Sequence, residues 1–400
     1  MRVTHRMITT QVMTNLNSIT GRLLRVQDML SSGKVLRRPS DDPVKLNHVL
    51  LLRTSIRKLE QYTQNAEDGV SWLNLTDTSL NQATVLLQKI RTLAIQGASG
   101  TLTPEDRRMI ATEVQKYLEE LIGIGNTTYA GKYIFSGTET LTVPFAFQRG
   151  RVVYQGNGDA IRREIEEGVV VQLGVPGDDV FFRGFEAWSN EDIDVAVYQG
   201  QRFRVNGVEV VVDDHNGDGS VTFEDLVYTV STNPDLKSSV YAFTDGKRLF
   251  LRSRTEDAFV LEEVSGALLQ EWGFLDGFGN ISTTNSREAS GILKAVQDLV
   301  AHLERNEVAR ISGEDLAKLD EALDLLLKVR AEVGARTLRM ENAVNRFMDF
   351  ALSFKKLLSL DEDIDVAEVV VQLQEHQNVY QMALAAAARL LQPTLLDFLR

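Results

Sequence analysis

The stretch whose residue types best suit binding chemistry is Asp214-His215-Asn216-Gly217-Asp218-Gly219-Ser220-Val221-Thr222-Phe223-Glu224-Asp225. Ca2+ takes roughly six to eight hard oxygens, which a calcium loop supplies from its first, third, fifth, seventh, ninth and twelfth positions. Here those positions are Asp214, Asn216, Asp218, the Ser220 carbonyl, Thr222 and Asp225, with Gly219 available for the sharp turn. The twelfth position is Asp225, where an EF-hand has a bidentate Glu. A strand through Val212, not a helix, enters the loop. Structural Ca2+ is therefore one expectation; no other cofactor is required. The competing one is a polar turn that introduces a helix starting at Thr222.

Nothing else in the chain has catalytic spacing. Gly125 to Lys132 resembles a phosphate loop but has five residues between its glycines, and Lys132 is followed by Tyr133 instead of Ser or Thr. His5, His48, His215, His302 and His376 are scattered, outside H-E-x-x-H or G-x-S-x-G settings. The chain has no Cys, which removes thiolate nucleophiles, thiolate metal sites and disulfides. No enzyme is expected.

The elements that would carry such a loop are mostly helical. From Ser312 to about Leu360 one stripe, mostly apolar, recurs every third and fourth position: Leu316, Leu319, Leu323, Leu326, Arg330, Val333, Thr337, Met340, Val344, Phe347, Ala351, Phe354, Leu358. That spacing places them on one stripe of a helix. Ser312 is positioned as its cap, with Asp315 reaching back. At about 1.5 Å per residue the helix runs about 70 Å, which calls for long partner helices.

A second run from Pro43 to Gly97 has a matching seam that includes Thr63, Asp77, Thr84 and Arg91, polar members able to fix register. Thr103 and Pro104 open a third helix with the stripe Ile110, Val114, Tyr117, Leu121 and Ile124. At the N-terminal end Val12, Leu16, Ile19, Leu23, Val26 and Leu30 form a seam that ends near Gly33. At the C-terminal end Val366, Val369, Leu373, His376, Tyr380, Ala383, Ala387 and Leu390 form another.

Between about 141 and 286 the pattern changes to short alternating runs. Asn206-Gly207 and Asp245-Gly246 lie between apolar alternations, the sign of hairpins. The expected fold is α+β: a long antiparallel helical rod or coiled coil built from both chain ends, with an inserted β-rich domain. The expected parts are an N-terminal assembly helix (1–42), rod helices (43–140), the insertion (141–286), returning rod helices (287–360) and a C-terminal assembly helix (361–400).

The net charge of −13 argues against a nucleic-acid partner. Residues 1–38 are nevertheless basic, and 361–388 hold Asp361, Glu362, Asp363, Asp365, Glu368 and Glu375 with no Lys or Arg. The two ends should lie antiparallel, basic against acidic, with charge acting mainly in steering. No run is apolar enough to span a membrane. The first residues lack the apolar core of a cleaved signal peptide.

Several stretches together resemble the flagellin superfamily. They are Met1-Arg2-Val3-Thr4, Leu30-Ser31-Ser32-Gly33-Lys34, Arg38-Pro39-Ser40-Asp41-Asp42-Pro43, Ser71-Trp72-Leu73-Asn74, Tyr129 through Thr138, Glu332-Val333-Gly334-Ala335-Arg336, Gln377-Asn378-Val379-Tyr380-Gln381 and Leu395-Leu396-Asp397-Phe398-Leu399. The similarity covers roughly 1–140 and 287–400, and it leans to the branch that joins hook to filament. It implies an extracellular structural protein of the bacterial flagellum, exported by the flagellar type III apparatus with a chaperone. Its implied neighbours are copies of itself in a ring, an adjoining hook-associated protein and the filament subunit. The filament subunit itself is the alternative, and a calcium-binding coiled-coil module the distant one.

Overall fold

The computed structural model describes residues 5–35, 42–148, 151–215, 217 and 219–390. Ten helices run through them in chain order. They are α1 (His5–Ser32), α2 (Pro43–Gly97), α3 (Pro104–Gly125), α4 (Phe223–Thr232), α5 (Pro234–Lys237), α6 (Leu268–Glu271), α7 (Ile292–Glu304), α8 (Val308–Arg310), α9 (Leu316–Glu362) and α10 (Val366–Leu390). The chain divides into two compact units: residues 1–63 with 345–400, and residues 64–344. α2 and α9 contribute residues to both.

The long stripe expected on α9 is present, and it is sharper than the sequence suggests. Leu319, Leu326, Val333, Met340 and Phe347, seven apart, are fully buried. Leu323, Arg330, Thr337 and Val344, between them, and Ala351 beyond them are half-buried. A seven-residue repeat of buried side chains is a coiled-coil seam. α2 answers it with buried Leu52, Ile56, Ala66, Leu73, Leu80, Leu87 and Ala94.

The start of α9 departs from expectation. Ser312 is not its cap: the Ser312 hydroxyl donates to the Ala309 carbonyl at 3.2 Å. Residues Ile311–Asp315 form a π turn that leads into α9. Asp315 is turned inward, fully buried, with its two carboxylate oxygens 2.9 and 3.0 Å from His302 Nδ1. A buried carboxylate needs such a partner, and that tertiary contact overrides the local capping pattern. Thr103 does cap α3 as its residue type suggests, in a reciprocal box with Asp106.

The strands belong to the larger unit. β1 (Thr128–Tyr129) pairs β2 (Lys132–Tyr133), β3 (Phe145–Gln148) pairs β4 (Arg151–Tyr154), and β5 (Arg162–Glu166) pairs β6 (Val169–Gln172). β7 (Glu186–Trp188) lies in a four-stranded antiparallel sheet with β10 (Val240–Thr244), β11 (Leu249–Ser253) and β13 (Ser286–Arg287), ordered β10-β11-β7-β13. β8 (Arg202–Val205), β9 (Val208–Val211) and β12 (Leu261–Glu263) form a three-stranded sheet ordered β12-β8-β9.

Asn206 and Gly207, with φ of 49° and 82°, make the tight β8–β9 turn. This is where a two-residue hairpin demands left-handed backbone. The β10–β11 connection is longer: residues 245–248 loop out, and Asp245 Oδ1 accepts from the Lys247 and Arg248 amides. Trp272 centres the core between these sheets, with the Phe223 ring edge-on at 5.6 Å and Tyr198 at 5.6 Å.

Candidate assembly interface

Within the smaller unit α1 packs along α10, which brings the two terminal seams together. Val26, Val369 and Ala387 are buried in that contact. Val12, Leu16, Ile19, Leu23, Leu30, Leu373, Tyr380 and Ala383 are only half-buried. Val366, the first residue of α10, is 58% exposed and is not covered within one chain. The preceding Asp365 caps the helix, its Oδ1 accepting from the Ala367 and Glu368 amides. The Leu390 side chain, and the chain beyond it, lie outside the described residues.

So the seam meets, but one chain does not close it. Met7, Met13, Leu24, Val371, Met382 and Leu384 of the same two helices face solvent. More than half of the exposed large apolar side chains among the described residues fall in this smaller unit. Leu51, Phe350, Leu352 and Leu360 on the adjoining parts of α2 and α9 add to them. Exposed large apolar side chains gathered in one unit point to an interaction face.

The basic and acidic ends do meet, and the contact falls at the chain linkers. The Val35 amide donates to the Glu362 carbonyl at 2.7 Å, and the Ile364 amide to the Gly33 carbonyl at 3.1 Å. Lys34 and Asp363 are thereby opposed as an antiparallel bridge. The buried Glu362 carboxylate accepts from Lys34 Nζ at 2.5 Å and from the Arg53 guanidinium. His48 Nδ1 lies 2.6 Å from Asp361 Oδ2. The break at Arg38-Pro39-Ser40-Asp41 lies outside the described residues. Asp42, just after it, caps α2 through the Val44 and Lys45 amides.

In the larger unit the polar seam members pair across. Arg330 Nε donates to Asp77 Oδ1 at 3.0 Å, and Arg91 Nε to Asp320 Oδ1 at 2.5 Å. Such partly exposed pairs add little energy but penalise a shifted register.

In the loop from Asp214 to Asp225, Asn216 and Asp218 lie outside the described residues. Asp214 accepts from the Gly217 and Gly219 amides at 2.7 and 2.9 Å. Asp225 is fully buried; it accepts from the Thr222 amide at 2.9 Å and the His215 amide at 3.0 Å. Thr222 caps α4, its hydroxyl accepting from the Glu224 amide at 3.2 Å. The Ser220 carbonyl belongs to the same turn. Among the described residues no group of three or more His, Asp or Glu is placed to hold a metal ion.

Sequence spacing missed the buried polar groups of the larger unit. Arg252 donates to Asp178, and to Glu186 Oε2 at 2.9 Å, with its guanidinium 4.7 Å over the Phe243 ring. Tyr241 donates its hydroxyl to the same Asp178 oxygen. Burial pushes the Asp178 carboxyl up to about 6, with Arg252 opposing, and pushes the Tyr241 and Tyr154 phenols up as well. Arg107, also buried, donates to the carbonyls of Gly97, Ser99 and Leu102 and to Asn306 Oδ1, which ties the α2–α3 turn to the α7–α8 turn. Partners 74 and 199 residues apart leave no local pattern.

A cavity of about 370 Å3 touches Arg183, Lys294, Asp298 and Lys318. Several of its charges pair with one another: Arg183 with Asp179, and Lys294 and Lys318 with Asp298. No nucleophile–base pair is among them.

Residues 3–140 match the family model of the bacterial flagellin N-terminal helical region. The flagellar hook-associated protein 3 of Escherichia coli (strain K12) is 28% identical over 182 residues, 45% of this chain. That match spans 57% of the relative, little more than half its length. Flagellin A of Vibrio anguillarum is 27% identical over 385 residues, covering 94% of this chain and 92% of that protein. A solved structure from Vibrio parahaemolyticus, described as a candidate flagellar hook-associated protein, superposes with a TM-score of 0.50 at 17% identity. It covers 80% of this chain and 99% of that one, a likeness of fold.

Proposed function

We propose that this chain is a member of the flagellin superfamily, to which its N-terminal region is similar, and a structural component of the bacterial flagellum that joins hook to filament. The role is that of the hook-associated protein 3 kind. Copies of the chain form a ring through their terminal helices, between an adjoining hook-associated protein and the first flagellin subunits. An export chaperone shields those helices before the chain leaves by the flagellar type III route. Its place is outside the cell, without nucleic acid and without a membrane; no helix among the described residues is long and apolar enough to cross one.

The observation that carries this assignment is the incomplete α1–α10 seam. Its half-buried residues and the outward Val371, Met382, Leu51 and Leu352 leave apolar surface that a neighbouring copy would cover. Isolated helices with so few buried positions are marginal, so ordering and docking are coupled. No catalytic step is assigned: the larger unit's buried charges hold one another, and the flagellin superfamily is structural.

The second function considered is that of the filament subunit, favoured by the nearly full-length alignment with flagellin A. Deleting 361–400 separates assembly from folding. The larger unit of the truncated chain is expected to keep its sheets while the protein no longer incorporates at hook tips. A truncated chain that still completes hooks would contradict the assignment.

A further inference from the structure

We propose that the paired linkers, residues 33–35 and 362–364, form a latch held shut by Glu362, which makes α1 and α10 order together as one body. Glu362 is 4% exposed although it is charged. Its side chain ends α9, yet its cations come from two other places: Lys34 just after α1, and Arg53 on α2. A buried carboxylate is tolerated only while paired and hydrogen-bonded. Either cation lost leaves the pocket half satisfied, so the latch is closed with both or opened to water.

The backbone makes the same junction. Val35 and Ile364 each spend their amide on the opposite linker. Two bonds flanking the opposed Lys34 and Asp363 define a non-hydrogen-bonded antiparallel pair, the closer of the two kinds. The linker out of α1 and the linker into α10 are therefore fixed to each other before either helix begins its seam. His48 and Asp361 lie beside this junction and extend it. A register slip of one residue between the linkers would break both amide bonds and carry every seam residue of α10 past its partner on α1.

The inference rests on the assembly assignment only for the use to which the latch is put; the latch itself is read without flagella. Amide exchange of Val35 and Ile364 in the full-length soluble chain reports closure directly. In the wild type both amides are expected to be protected, and Glu362→Gln to speed the two together by at least about tenfold. Amides of β10 and β11 should keep their rates, which separates latch opening from general unfolding. The swapped pair Glu362→Arg with Arg53→Glu should recover part of the protection. Free exchange of both amides in the wild type, or unchanged exchange in Glu362→Gln, would overturn the latch. Wild-type protection lost in one amide and kept in the other would overturn its unity.

Discussion

The rings of Tyr62 on α2 and Phe347 on α9 meet at 6.1 Å, inclined by 40°. Phe347 is the last of the five fully buried stripe residues of α9 and belongs to the smaller unit. Leu352, five residues on, is 69% exposed. The two positions separate folding from assembly. Phe347→Ala is expected to destabilise the smaller unit by about 3–5 kcal/mol, read as a lower urea midpoint. Leu352→Ala should change stability by less than about 0.5 kcal/mol, leaving the midpoint nearly in place, while weakening incorporation into flagella.

The second expectation concerns pH. The Asp178 carboxyl sits at about 6 in the fold, above its ordinary 3.8, chiefly because it is buried. A raised folded value means the protonated form favours the fold. The stabilisation is fully present below about pH 4 and is lost as pH rises through about 6. Asp315, also raised by burial, titrates in the same direction, so the wild type alone does not isolate Asp178. Relative to Asp178→Asn, the wild type should lose on the order of 1–3 kcal/mol between about pH 4 and pH 7.5. Thermal melts of both proteins across that range check the sign.

A third expectation follows from Gly184, which precedes β7. A Cβ built there would lie 1.9 Å from the Ser253 carbonyl oxygen and 2.6 Å from that of Thr255. Both obstacles are backbone and have no side-chain freedom to yield. Gly184→Ala should cost more than about 3 kcal/mol and loosen the β7–β11 pairing, visible as faster exchange at Ser253, whose amide bonds Phe185. Gly313 has open space around it, and Gly313→Ala should be tolerated.

The loop from Asp214 to Asp225 gives a fourth. Asp225 has both carboxylate oxygens on amides, and Thr222 has its hydroxyl on a helix cap. Protein donors engage these oxygens, and an ion would have to compete with them for Asp225 and Thr222. Adding about 1 mM Ca2+ to the full-length chain is expected to leave its melting unchanged. A rise of several degrees that chelator reverses would instead establish a calcium site.

How much of this was legible in the sequence depends on the distance between partners. The α9 stripe was, because its seven-residue period lies in one helix, and so was the Asn206-Gly207 hairpin, because the turn chemistry is local. Asp77 and Arg330 were legible as polar seam members but not as a pair. The π turn at Ile311–Asp315 was not, since it depends on His302 receiving Asp315 from a different element. Arg252 and Asp178 are strand and turn residues whose types suggest surface. Only the closed sheet shows that they bury each other. The latch was visible only as a basic end and an acidic end. Its node, Glu362, looked like one acid among several.

The most direct measurement is to label the protein on isolated flagella and record where the label falls. A single band at the boundary of hook and filament, constant in amount as filaments lengthen, is the expected result. Label spread along the filament in proportion to its length would contradict the junction role and assign the chain to the filament itself.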